Sequence, residues 1–92
     1  MQTRVAVIGI IIEDKSSVDE LNKIISQYSE YVVGRMGIPY HKRDISIISL
    51  SVEAPQDVIS GFTGKLGRLK GVQAKTAFSN AFFEDEGQNQ FE

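Results

Sequence analysis

Apolar and polar residues follow two spacings along this chain, and each change of spacing marks an element boundary. Val5-Ala6-Val7-Ile8-Gly9-Ile10-Ile11-Ile12 is β-branched and almost continuously apolar, which predicts a strand over 3–12 buried on both faces. Glu13-Asp14-Lys15 ends it. Ser17-Val18-Asp19-Glu20 has the S-x-x-E spacing of a capping box, with Ser17 as N-cap and Glu20 reaching back. Val18, Leu21, Ile24, Ile25 and Tyr28 then fall on one stripe, predicting a helix over 18–29. Tyr31-Val32-Val33-Gly34-Arg35-Met36-Gly37-Ile38 reads as a bent or bulged strand, and Pro39 favours a sheet edge.

The polar His41-Lys42-Arg43-Asp44 suits a hairpin connection, and a third strand follows over 45–54. Ser46, Ile48, Leu50 and Val52 share one of its faces, and Ile45, Ile47, Ser49, Ser51 and Glu53 the other. After Pro55, the positions Val58, Ile59, Phe62, Leu66 and Leu69 form a second helical stripe, with Gly71 as the residue past its end. A fourth strand covers 72–78. From Ser79 the composition becomes acidic and amide-rich, which divides the chain into a domain over 1–78 and a tail over 79–92.

This order is β-α-β-β-α-β. Two right-handed crossovers place the first and third strands at the centre of a four-stranded antiparallel sheet, with the second and fourth at its edges. Both helices cover one face. The result is an α+β, ferredoxin-like fold with an open sheet face, and the apolarity of the first strand predicts a homo-oligomer that covers it.

Composition narrows the function classes. The 92 residues contain no cysteine, which excludes disulfides, thiolate metal sites and cysteine nucleophiles and fits a cytoplasmic protein. A net charge of −2 supplies no general attraction to nucleic acid, so direct binding to it is not expected. The longest apolar run is too short to cross a bilayer, so no membrane partner is expected.

Candidate chemistry is sparse. His41 is the single histidine and reads as a solvated hairpin residue, so neither a metal site nor a cofactor is expected. Gly61-Phe62-Thr63-Gly64-Lys65-Leu66-Gly67 fails the phosphate-loop pattern, because Ile59 stands where the first glycine belongs and Leu66 where Ser or Thr does. Its three glycines instead predict a small face for close helix packing. Lys42, Arg43, Lys65, Arg68, Lys70 and Lys75 lack interleaved aromatics and read as solvated charge. No arrangement of catalytic residues emerges. The most unusual stretch is Gly34-Arg35-Met36-Gly37-Ile38-Pro39-Tyr40. Its glycines permit close approach, Arg35 can fork to a carboxylate or phosphate, and Tyr40 adds a hydroxyl. Gly34, Arg35, Gly37 and Tyr40 are therefore the candidate ligand-binding residues, against an alternative in which the stretch is a bulge with Arg35 paired to a surface acid.

Three stretches in order carry a resemblance: Ile11-Ile12-Glu13-Asp14-Lys15, the Gly34–Tyr40 segment, and Gly64-Lys65-Leu66-Gly67-Arg68-Leu69-Lys70-Gly71-Val72-Gln73-Ala74-Lys75-Thr76. Over 3–76 the chain resembles the family of iron-only hydrogenase system regulators. The resemblance implies a ferredoxin-like domain akin to ACT domains and to the ligand-binding half of nickel-responsive repressors, an oligomer, and an association with hydrogenase-system proteins. One histidine without cysteine does not reproduce a repressor nickel site, and no DNA-binding arm is legible before Thr3. No glycine opens the turn at Glu13-Asp14-Lys15, unlike amino-acid-binding ACT domains. The expected function is a non-enzymatic regulatory module that oligomerises through its sheet and responds to a small, anionic ligand. The alternatives are an interaction adaptor without a ligand and a small dimeric α+β enzyme.

Overall fold

Strand β1 (Gln2–Ile12) leads through a single 3-10 turn (Lys15–Ser17) into helix α1 (Val18–Gln27). A second 3-10 turn (Ser29–Tyr31) precedes β2 (Val32–Tyr40), and a third (His41–Arg43) joins it to β3 (Ile45–Ala54). Helix α2 (Gln56–Gly67) and strand β4 (Val72–Glu84) complete the order. This computed structural model describes residues 1–84. The four strands form one antiparallel sheet in the order β2-β3-β1-β4, with both helices on one face: the ferredoxin-like arrangement.

Alternation builds the core. Ala6, Ile8, Ile10 and Ile12 of β1 meet Ile48, Leu50 and Val52 of β3 beneath Leu21, Ile25, Ile59, Phe62 and Leu66 of the helices. Tyr28 closes one end of this layer by stacking on Phe62, ring centroids 4.3 Å apart. The division of β3 into two faces follows the alternation, and its bounds match the expected 45–54.

Several local expectations give way to tertiary contacts. Ser17 does not cap α1 with its side chain, because it is already in the helical region and its hydroxyl donates instead to the Lys70 carbonyl, 2.6 Å away. The cap sits earlier, at Asp14, whose carboxylate accepts from the Ser16 amide (2.9 Å) and hydroxyl (2.6 Å). α1 also stops at Gln27 rather than 29, where the 3-10 turn begins. β2 runs on through Pro39 and Tyr40, since an edge strand can hold proline with its donor-free side outward. The expected bulge is present, with a register shift between Val32 and Gly34. The glycines of α2 form no close helix contact among the described residues: a Cβ at Gly61 or Gly67 would meet open space and one at Gly64 only the Arg68 guanidinium at 3.7 Å, because Ile59, Phe62 and Leu66, with Val58 beside them, seat the helix.

β4 continues past 78 to Glu84, so residues 79–84 of the expected tail belong to the sheet and 85–92 lie outside the described residues. Arg4 explains the extension. Its Nε and Nη2 donate to the Ser79 carbonyl at 3.2 and 2.6 Å, and Nη1 donates to Gln56 at 2.9 Å. The guanidinium lies 4.6 and 4.7 Å from the ring centroids of Phe78 and Phe82. It thereby bridges the register shift in which Arg4 faces Phe82 and Ala6 faces Phe78.

The Asp14 cap carries a pH dependence. Hydrogen bonds from the Ser16 hydroxyl, then from its amide, hold the carboxyl below its ordinary value of 3.8, with Lys70 adding attraction. A depressed native pKa means that this stabilisation is complete above the unfolded value and fades as pH falls through the lower, folded one. Urea unfolding across an acid series should therefore fall less steeply below 3.8 for Asp14→Asn than for the natural chain. Parallel curves would show that the carboxylate charge has no part in the cap.

Candidate functional site

Strand β2 presents its residues alternately to the two sides of the sheet, and this separates the candidate ligand residues. Arg35 is opposite Leu50 and Gly37 opposite Ile48, both on the helix-covered side. Gly34 is opposite Ser51 and Tyr40 opposite Ile45, on the open side. The four residues do not converge on one point. Among the described residues Gly34 has no atom within 4 Å of where a Cβ would be, so none of them approaches it closely.

Arg35 and Gly37 do share a cavity. It lies between α1 and the β2–β3 hairpin, has a volume of about 200 Å³, and is walled by Val18, Leu21, Ile12, Pro39 and Ile48. The absent side chain at Gly37 leaves Ile48 to form the wall there, with its Cγ1 4.0 Å from where a Cβ would stand. At the rim, Arg35 Nη2 donates to Asn22 Oδ1 at 3.0 Å, which links β2 to α1. Among the described residues Arg35 has no ion pair, so the surface-acid alternative is not what holds it. Asn22 escaped notice in the sequence because its polar position on α1 looks like any solvated helix residue.

The second candidate surface is the open sheet face. Its exposed apolar residues run across all four strands: Met36, Ile38 and Tyr40 of β2, Ile47 of β3, Val7 and Ile11 of β1, and Phe83 of β4, from 37% exposure at Ile47 to 64% at Met36. Within the chain the Val7 and Ile11 side of β1 is thus left open beyond Thr3, and the expectation of burial on both faces needs something else to cover the sheet. Gly9 leaves a depression of about 290 Å³ there, bordered by Ile11, Ile47, Gln73 and Lys75.

The remaining candidates stay apart. His41 sits in the exposed turn after β2, where its carbonyl accepts from the Asp44 amide at 3.2 Å. Among the described residues no three His, Cys, Asp or Glu side chains gather as metal ligands, and no helix is long and apolar enough to cross a membrane. The basic residues are dispersed: Lys65 lies over the Tyr28 ring, Lys70 pairs with Asp14, and Lys75 borders the open face.

Comparison with known proteins matches this architecture. A search of curated proteins finds no match. Among solved structures, that of the uncharacterized protein TM1266 from Thermotoga maritima superposes with a TM-score of 0.79 at 27% identity, covering 83% of this chain and 96% of that one. The family model described as "Iron-only hydrogenase system regulator, putative" (TM1266-like) matches residues 4–76. The chain therefore belongs to the TM1266-like family.

Proposed function

We propose that this chain is a non-enzymatic regulatory module of the iron-only hydrogenase system, which assembles through its open sheet face in the cytoplasm and responds to a small ligand. The observation that carries the reading is the apolar open face. Four strands of 9 to 13 residues, spaced about 4.8 Å apart, span roughly 19 by 30–40 Å. That is commensurate with the roughly 800 Å² that one partner contributes to a standard interface. A face so apolar and so large on a chain of this size belongs in contact with protein. The family match supplies the system in which it acts, and the absence of cysteine from the sequence suits a reducing compartment.

Complementation in the chain's own host tests both halves. Deleting the gene should change the amount or activity of iron-only hydrogenase. Restoring the natural chain should reverse the change, and restoring Ile11→Asp, folded but unable to assemble, should not. Unchanged hydrogenase after deletion sinks the regulatory role, and full rescue by Ile11→Asp sinks the requirement for assembly.

A further inference from the structure

We propose that the cavity between α1 and β2 binds a small monocarboxylate with an apolar body, held by Arg35 and Asn22 at its rim. Arg35 and Asn22 share one end, and the only other polar side chain among the described lining residues is the uncharged hydroxyl of Ser46, opposite Pro39. Arg35 presents a planar fork of N–H donors, of which one is engaged, by Asn22 Oδ1 at 3.0 Å. That bond orients the guanidinium and leaves further donors for a two-point contact with a carboxylate. The Asn22 amide nitrogen adds neutral donors beside it. Behind this rim the wall is mostly aliphatic, formed by Ile12, Val18, Leu21, Pro39 and Ile48. Such a division, with one charged anchor and an apolar chamber, fits an amphipathic ligand rather than a fully hydrated ion.

Charge and size sharpen the class. Among the described residues no acidic side chain lines the cavity, so an α-ammonium group would enter beside Arg35 without a counter-charge. The site therefore discriminates against a free amino acid. A single cation with aliphatic walls is also poor provision for phosphate, whose charge calls for several donors or cations. The volume of about 200 Å³ corresponds to roughly seven waters at about 30 Å³ each, room for a ligand of about ten heavy atoms or fewer.

This inference rests on the reading of the chain as a ligand-responsive module, and it fails separately, because the deletion phenotype is scored without any added acid. Amide-resolved NMR titration of the full chain with a matched set tests it: isocaproate, the neutral isocaproamide, leucine, which is isocaproate bearing an α-ammonium, and inorganic phosphate. Isocaproate should shift the amides of Leu21, Asn22, Gly37 and Ser46, and isocaproamide and leucine should bind at least about tenfold more weakly. Arg35→Gln should weaken isocaproate by about tenfold or more while the unliganded melt stays unchanged, since Arg35 is exposed and makes one hydrogen bond. The proposal is overturned by equal binding of leucine or the amide, by tighter binding of phosphate, or by shifts confined to the open face. It is overturned equally by an unaffected Arg35→Gln, or by no shift with isocaproate up to about 20 mM.

Discussion

Ile10→Asp should abolish cooperative melting at neutral pH, while Ile11→Asp, its neighbour on β1, should leave a folded chain that no longer assembles. Ile10 is 0% exposed and faces the helices, whereas Ile11 is 38% exposed on the open side. At position 10 the substitution removes buried aliphatic volume and strands a carboxylate with no cation to pair it. Together these cost about 5 kcal/mol or more, comparable with the whole stability of a small domain, about 5–15 kcal/mol. At position 11 the carboxylate stays hydrated in the monomer, and a surface change of this kind shifts stability by about 0.5 kcal/mol. In an assembly closed over the sheet, the same carboxylate would be buried in every subunit. Circular dichroism should report an unfolded Ile10→Asp and a native-like Ile11→Asp. Sedimentation of the latter should return a 10.2 kDa particle, against a larger mass for the natural chain. If Ile11→Asp sediments with the natural chain's mass, assembly does not use this face.

The same contrast shows what was legible in the sequence. A period of two sorts residues onto faces wherever the strand is regular, so the two rows of β3 and the central place of β1 could be read from the residues alone. The division of Arg35 and Gly37 from Gly34 and Tyr40 obeys that same rule. It was obscured because adjacency within a glycine-rich segment suggested one site. The sequence did not reveal where polar groups settle once distant segments meet. Ser17 matches a local capping pattern, but the Lys70 carbonyl arrives from the end of α2 and takes its hydroxyl. Residues 79–84 look like a tail by composition, yet Phe82, Phe83 and Glu84 pair with the start of β1, and Arg4 clamps the Ser79 carbonyl in the shifted stretch between. Asn22 becomes part of a site only because α1 packs beside β2. In each case the deciding contact is long-range and bears no local signature.

Gly71→Ala should be among the most damaging single-methyl additions in the chain. Gly71 has φ +68°, and a Cβ there would lie 2.5 Å from Asp14 Cβ and 2.9 Å from the Asp14 backbone nitrogen. The left-handed conformation alone costs an L-residue roughly 1–2 kcal/mol. The overlap adds to this, because the atoms it meets are held in place from several directions. The Glu13 amide donates to the Gly71 carbonyl at 2.7 Å, Ser17 ties to Lys70, and the Asp14 carboxylate caps the 3-10 turn. Moving Asp14 aside would break the joint where the end of β1 and the start of α1 meet the end of α2. A total loss of about 2–4 kcal/mol is expected. At about 4–8 °C per kcal/mol for a domain of this size, the melting temperature should fall by roughly 10–30 °C. Gly61→Ala and Gly67→Ala supply the control, since an added Cβ at either meets open space on α2. Each should stabilise the chain by about 0.5–1 kcal/mol through helix propensity. Thermal unfolding of the three variants side by side decides the matter. A Gly71→Ala melt within a few degrees of the natural chain would mean that the joint can yield, and the account of Gly71 as its fixed point would be wrong.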